Sequence, residues 1–272
     1  MTDRPYVLLS AAMSVDGYID DTAPQRLVLS GEQDTDRVDA VRAGCDAILV
    51  GAATIRRDNP RLLLRSARRR AEREASGQPA GPAKVTLSRS GDLDPAARFF
   101  TEGEVPKLVY VPGAGAAAAR ERLGTAAEVI ELPGPGPAGP DGRARSAGRA
   151  GPAAQDAQDG PDREDGPGRP AVLASVLAAM LADLAGRGVA RLMVEGGSQV
   201  QASFLAAGLA DELQLAIAPF FVADPHAPRL AGGRWPAGAP AGVPMRLAEV
   251  RRVQDMAVLR YLISGRADPE PG

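Results

Sequence analysis

The sequence predicts an α/β fold: a three-layer sandwich around a mixed, largely parallel sheet. Three observations carry that expectation. Apolar runs of strand length alternate with segments of helical period along most of the chain. The last segments are strand-like with no helix between them, which adds antiparallel strands to an otherwise parallel sheet. The 272 residues are 44% hydrophobic and 24% charged, enough for one sizeable core.

Tyr6–Met13 (YVLLSAAM) is a buried-strand candidate, and in Gly31–Arg42 the residues Val38 and Val41 stand at helical spacing. Ala47–Val50, Lys84–Leu87 and Lys107–Val111 are short apolar runs bounded by turn residues, so they read as strands. Ser66–Ala83 is Arg-rich and then Gly/Pro-rich; its first half, SARRRAEREA, extends as an exposed helix. An Ala-rich helix at Ala114–Leu123 leads to a strand at Glu128–Leu132. Leu173–Gly186 is the clearest amphipathic helix, with Leu173, Val176, Leu177, Met180, Leu181 and Leu184 on one face. A strand at Leu192–Glu195, a short helix at Gln199–Ala207 and strands at Glu212–Phe221 and Ala257–Leu262 complete the reading. The stretch ADELQLAIAPFFV, beginning at Ala210, is a candidate sheet-edge contact between two copies of the chain.

Pro133–Pro170 contains no Val, Ile, Leu, Met or aromatic residue and holds 9 of the 31 glycines and 8 of the 24 prolines. A stretch without apolar side chains has no burial to offset its ordering entropy, so it reads as a disordered insertion in a single domain.

Composition excludes several function classes. With 32 Lys plus Arg against 34 Asp plus Glu, the net charge is −2, and no bulk basic field exists for nucleic acid or an anionic membrane. One Cys and one His rule out a disulfide framework, a thiolate zinc site and a His-pair metal motif, so no metal is expected. Cys45 reads as a small buried hydrophobe and His226 as a loop residue. The polar start, Met1–Pro5, runs straight into a strand and no apolar run of about 18 residues follows, so the expectation is a cytoplasmic protein with neither signal peptide nor spanning helix.

Strand ends are where ligands bind in open α/β sheets. After the first strand comes Ser14-Val15-Asp16-Gly17, which is either a plain turn or a substrate-proximal carboxylate at Asp16. After the second comes VGAATIRRDNPRLLLR, Val50–Arg65. There Gly51 admits a ligand to the backbone, Thr54 offers a hydroxyl, Asp58-Asn59-Pro60 presents a carboxylate, and Arg65 and Arg42 are guanidinium clamps for a phosphate. Val194-Glu195-Gly196-Gly197-Ser198 runs from a strand through a glycine pair into a helix, a setting for a pyrophosphate with an acid beside it. Ser88-Arg89-Ser90 after another strand suits a ribose 2′-phosphate, and hence NADP rather than NAD. Gly113-Ala114-Gly115, with Glu131 ending the next strand, imitates a dinucleotide fingerprint.

RPYVLLSAAMSVDG, VRAGCDAILVGAATIRRDNPRLLLR and LMVEGGSQVQASFLAAGLADELQLAIAP, in this order and spacing, resemble the reductase of riboflavin biosynthesis. That family is dihydrofolate-reductase-like and forms the C-terminal part of the bacterial deaminase-reductase. The resemblance implies NADPH-dependent reduction of a ribosylamino-pyrimidinone 5′-phosphate, in its deaminated or diamino form, to the ribitylamino product. The sugar ring would open to an imine, and hydride would reach the anomeric carbon. It further implies cofactor contacts at Ala12, Thr54, Asp58 and the loop Gly197, Ser198, Gln199, Val200 through Ser203, with Ser88 or Arg89 near the adenosine phosphate. Substrate contacts fall on Arg42, Leu62, Arg65 and Glu195, and Asp58 or Glu195 moves the proton. The family's members are commonly homodimers. Where the family's bacterial members have a Ser and an aromatic residue before the first helix, this chain has Arg26-Leu27-Val28-Leu29-Ser30, which leaves other substrates of the same fold open, such as a pterin or a specialised nucleoside. A non-catalytic binding protein is the third reading.

Overall fold

A computed structural model of the chain describes residues 4–23, 27–113, 115–133, 169–230 and 242–269. In chain order the elements are β1 (Tyr6–Ser14), α1 (Glu32–Ala43), β2 (Ala47–Gly51), α2 (Ala52–Asp58), α3 (Ala67–Ala75), β3 (Ala83–Leu87), α4 (Arg98–Thr101) and β4 (Lys107–Pro112). They continue with α5 (Gly115–Leu123), β5 (Glu128–Leu132), α6 (Arg169–Gly186), β6 (Arg191–Gly196), α7 (Ser198–Ala206), β7 (Glu212–Ala218), β8 (Arg246–Val253) and β9 (Met256–Leu262). Of the predicted insertion, 134–168 lie outside the described residues, and α6 begins at Arg169, ahead of the expected Leu173.

Successive strand side chains point to opposite faces, and that alternation divides the core in two. Val7, Leu9, Ala47, Leu49, Leu192 and Val194 meet α6 and α7 through Leu177, Leu181, Leu184 and Phe204. Leu8, Ile48, Val50 and Met193 face the other way, onto Ile55 of α2, Phe99 and Phe100 of α4, Ala116 and Ala119 of α5, and Val38 and Val41 of α1. Each fully buried Leu or Phe among these contributes about 1.5–3 kcal/mol. Helices on both faces of one sheet make the expected three layers.

The nine-stranded sheet runs β5-β4-β3-β2-β6-β1-β7-β9-β8. Strands β1 to β7 pair in parallel, while β9 is antiparallel to β7 and β8 to β9. Strand β7 therefore lies between β1 and β9, which corrects the expectation that ADELQLAIAPFFV supplies a sheet edge. The edge is β8, which the sequence reading missed. Its text, RLAEVRRV, lacks clean alternation because almost every residue is exposed and a register shift falls between Leu247 and Glu249. Strand β7 also stops at Ala218, short of the expected Phe221.

At the N-terminal end of the sheet a buried carboxylate ties both termini of the described chain together. Asp211 accepts from Arg4 Nη1 at 2.6 Å and Nη2 at 2.9 Å, from the Val7 N–H at 2.8 Å, from Ser264 Oγ at 2.6 Å and from Arg266 Nη1 at 3.2 Å. Burial works to raise its pKa, yet the bonds from Arg4, Ser264 and Val7 overcome it and hold the carboxyl below the usual range. A depressed folded value means the stabilisation is whole above the unfolded Asp value of about 3.9 and is lost as pH falls through the folded value. Asp211→Ala is expected to cost about 3–5 kcal/mol, because two guanidinium groups lose their buried counter-charge. Urea unfolding would show it as a lower midpoint at unchanged slope.

Candidate active site

Among parallel strands with helices on both faces, a crevice opens where neighbouring strands send their connections in opposite directions. That point lies between β2 and β6. From β2 the chain leaves through α2 toward β3, and from β6 it leaves through α7 toward β7 on the other side of β1. Both strands end on glycine.

These glycines form a close-packed cradle against which Val200 and Thr54 rest. A Cβ on Gly51 would stand 3.0 Å from Val200 Cγ2 and 3.9 Å from Gly197 Cα. One on Gly196 would stand 3.2 Å from Thr54 Cγ2, and one on Gly197 3.5 Å from Thr54 Oγ1. Gly197 also has φ +86, a conformation that suits glycine. Gly51, Thr54, Gly196, Gly197 and Val200 are thus brought together from two turns distant in sequence. As N-cap of α7, Gly197 supplies no side-chain hydrogen bond, so the first N–H groups of α7, in the turn carrying Ser198 and Gln199, are not capped by it. Such a terminus favours an anion.

Beside this cradle sits a charge pair. Arg42 Nε and Nη2 each donate to one Glu195 oxygen at 2.5 Å, and Arg42 Nη1 donates to the Leu63 carbonyl at 3.2 Å. The two side chains are 19% and 11% exposed, so the pair is largely removed from water. Burial opposes the charge on Arg42, but Glu195 outweighs it and raises the pKa. Arg65 lies nearby in the chain, exposed, and its side chain makes no hydrogen bond or ion pair among the described residues. Leu62 turns its side chain into the core, 5% exposed, so what it can present to a ligand is backbone. Asp58 is the last residue of α2 and half-buried.

The other predicted residues fall as follows. Ala12 lies near the end of β1, opposite Ala216 of β7 and one strand beyond β6. Asp16 is already engaged: Ser14 Oγ donates to it at 2.5 Å and the N–H groups of Val222 and Ala223 at 3.1 and 2.8 Å. Desolvation would raise its pKa, but these bonds bring it down to about 2. It therefore pins the loop after β7 to the turn after β1, a joint that Arg229 extends by lying 4.2 Å over the Tyr18 ring. Ser88 is buried, and its Oγ accepts the Gly91 N–H at 3.0 Å. Arg89 is exposed at the end of β3, and Arg56 of α2 reaches the same turn through the Asp92 carbonyl at 3.1 Å.

The fingerprint-like Gly113-Ala114-Gly115 has a packing explanation instead. A Cβ on Gly115 would lie 3.2 and 3.3 Å from the Arg89 and Ser90 carbonyls, so this glycine lets α5 approach the turn after β3. Strands β3, β4 and β5 succeed one another in one direction, away from the crevice. Cys45 is buried as expected, and burial pushes its thiol up to about 12. Sequence reading missed Asp39, a buried carboxylate on α1 three residues before Arg42. That spacing on one helix face was the available signal.

The chain matches the RibD C-terminal domain over residues 5–259. It belongs to that family. A relative from Archaeoglobus fulgidus named 2,5-diamino-6-ribosylamino-4(3H)-pyrimidinone 5′-phosphate reductase is 30% identical over 230 residues, 85% of this chain and 87% of that one. A protein of the same name from Methanothermobacter thermautotrophicus is 28% identical over 96% of this chain and all of its own length. Among solved structures, a pyrimidine reductase-like protein from Corynebacterium diphtheriae superposes with a TM-score of 0.68 at 20% identity, covering 96% of this chain and 93% of that one. The relatives are reductases by name, and this RibD C-terminal family member is an oxidoreductase.

The turn carrying Arg89 depends on the close approach of α5. A Cβ on Gly91, at φ +68, would sit 2.3 Å from Ala119 Cβ, whereas one on Gly188, at φ +85, meets nothing within 4 Å. Gly91→Ala is therefore expected to cost about 1–3 kcal/mol more than Gly188→Ala, a difference that isolates packing from backbone strain in paired urea titrations.

Proposed function

We propose that this chain is an NADPH-dependent reductase that converts a ribosylamino-pyrimidinone 5′-phosphate to its ribitylamino product in riboflavin biosynthesis. The observation that carries the reading is the meeting of two glycine-bearing turns at the sheet's switch point, with an Arg–Glu pair beside them, in a chain whose relatives are named for this substrate. The α7 terminus at these glycines, which has no side-chain cap, suits the pyrophosphate of a dinucleotide.

In this reading Thr54 and the first turn of α7, with Ser198, Gln199 and Val200, hold the pyrophosphate, and Ala12 borders the nicotinamide. Arg89 takes the 2′-phosphate, with Arg56 beside it; Ser88 shapes that turn from within, since its buried hydroxyl already accepts the Gly91 N–H. Bound there, the cofactor supplies a hydride. The chain's own task is to hold the sugar carbon against it and to move a proton. Arg65 receives the substrate phosphate. Glu195, with each oxygen bonded to Arg42, suits an acceptor for substrate N–H or O–H groups, which leaves Asp58 as the proton relay. Asp16 acts on the substrate through the loop it pins. A homodimer belongs to the same reading, because β8 is an edge strand with Leu247 and Val250 exposed. So does a cytoplasmic setting; no helix among the described residues is long and apolar enough to cross a membrane.

The test is NADPH oxidation followed by absorbance. Turnover is expected with the ribosylamino-pyrimidinone phosphate in its diamino or deaminated form, and none with dihydrofolate; the reverse would overturn the assignment. Arg89→Ala should lower the preference for NADPH over NADH by about 10–100-fold, the worth of one charge-assisted hydrogen bond. Asp58→Asn should reduce kcat by about 10²–10⁴-fold with cofactor binding unchanged.

A further inference from the structure

The loops that follow β1 and β7 are knitted into one body. The Val15 N–H donates to the Phe220 carbonyl at 3.0 Å and the Ile19 N–H to the Pro228 carbonyl at 2.9 Å, while Tyr18 and Arg229 form an antiparallel bridge. Asp16 takes the Val222 and Ala223 N–H groups, Thr22 Oγ1 donates to Asp224 at 2.5 Å, and Arg229 donates to the Asp16 carbonyl and to the Tyr18 hydroxyl. Arg57, next to the end of α2, reaches this body from the far wall of the crevice. Its Nη2 stands 2.8 Å from Asp20 Oδ2 and 3.4 Å from the Asp21 carbonyl. Because the sheet runs β2-β6-β1, a link from α2 to the loop after β1 bridges two strand spacings, about 10 Å. It spans the end of β6, where Glu195, Gly196 and Gly197 stand.

We propose that the paired loops are a lid on the crevice and that Asp20 and Arg57 are its latch, so that NADPH enters and leaves when this ion pair parts. The inference rests on the reading of the crevice as the NADPH site. The two ends of the pair are built differently. Asp20 is 14% exposed and fixed, since its Oδ1 accepts the Asp21 N–H at 3.0 Å and the Leu27 N–H at 3.2 Å. Arg57 is 52% exposed, and a long side chain half in water releases its partner readily. Arg42 and Glu195 make the contrast, a doubly bonded and largely buried pair that serves as a permanent joint. A single exposed pair shifts an equilibrium by only about two- to fivefold, enough to bias a lid without locking it. The bonds between the two loops, several of them from main-chain N–H groups, keep the body whole while it swings.

The experiment follows NADPH binding to the full chain by stopped-flow nicotinamide fluorescence. A lid that must open for both entry and exit scales the two rate constants together. Arg57→Gln removes the cation, and Asp20→Asn removes the charge while keeping an acceptor for the Asp21 and Leu27 N–H groups. Each should raise the association and dissociation rate constants by the same factor, about two- to fivefold, and leave Kd at the parent's value. The double variant should be no faster than the faster single one, because both remove one pair. The two substitutions change the charge in opposite senses, so simple steering of the anionic cofactor would move their association rates apart. In about 1 M salt, where screening sets in within about 3 Å, the difference between parent and variants should vanish. Amide exchange at Val15 and Ile19 should keep the parent's rates, since those bonds lie within the moving body. Faster exchange there would mean that the loops melt rather than swing, and would overturn the proposal. So would unchanged binding rates, association rates that move apart, or a Kd that follows the dissociation rate alone. In each of those cases a parent that binds NADPH leaves the reading of the crevice standing. A parent that does not bind NADPH overturns both.

Discussion

Because β2 and β6 lie side by side in parallel, with Ile48 opposite Met193 and Leu49 opposite Val194, two turns from distant parts of the chain emerge together at one end of the sheet. Everything at the crevice follows from that pairing. Gly51 and Gly196 become neighbours, Thr54 comes to stand over both glycines of the second turn, and Arg42 comes within reach of Glu195 across 153 positions of sequence. Interior β pairing of this kind is held by burial on both faces, so a slip of one residue would exchange the α6 face for the α1 face all along β2. The register of the site is in effect the register of the core.

The Arg42–Glu195 pair illustrates what such a constraint is for. A largely buried ion pair returns in Coulomb energy roughly what it loses in desolvation, so it adds little net stability. What it does provide is geometry: a planar guanidinium meeting a planar carboxylate on two bonds permits one orientation of each. Asp211, at the opposite end of the sheet, applies the same principle to the chain ends, gathering Arg4, Ser264 and Arg266 onto one buried carboxylate. The polar clasp at one end and the crevice at the other are both built where loops converge, and the apolar layers between them carry the stability.

Much of this was legible in the text of the chain. The strand ends carrying Gly51, Thr54, Glu195 and the glycine pair could be marked from residue type and flanking period alone, because a polar turn after a buried strand is conspicuous. Other features were not. Strand β8 escaped because a strand exposed on nearly every residue has no hydrophobic alternation to announce it. The Gly113–Gly115 text looked like a cofactor turn because local sequence does not say which side of the switch point a strand occupies. At Ser88 and Asp16 the text leaves a turn and a ligand contact equally open, because a hydroxyl or carboxylate in a turn reads the same whether it faces a ligand or the protein's own N–H groups.

The sequence by itself determined the α/β class, the order of most elements and the residue types available at each strand end, since these depend on period and turn chemistry within a few residues. Only the tertiary structure decided which strand ends share the crevice, that Arg42 is neutralised by Glu195, and that Asp39 anchors the backbone of Arg65. The reason is physical: hydrophobic periodicity is a local property written along the chain, whereas strand order and ion pairing are settled by burial between segments that meet only when the sheet is assembled.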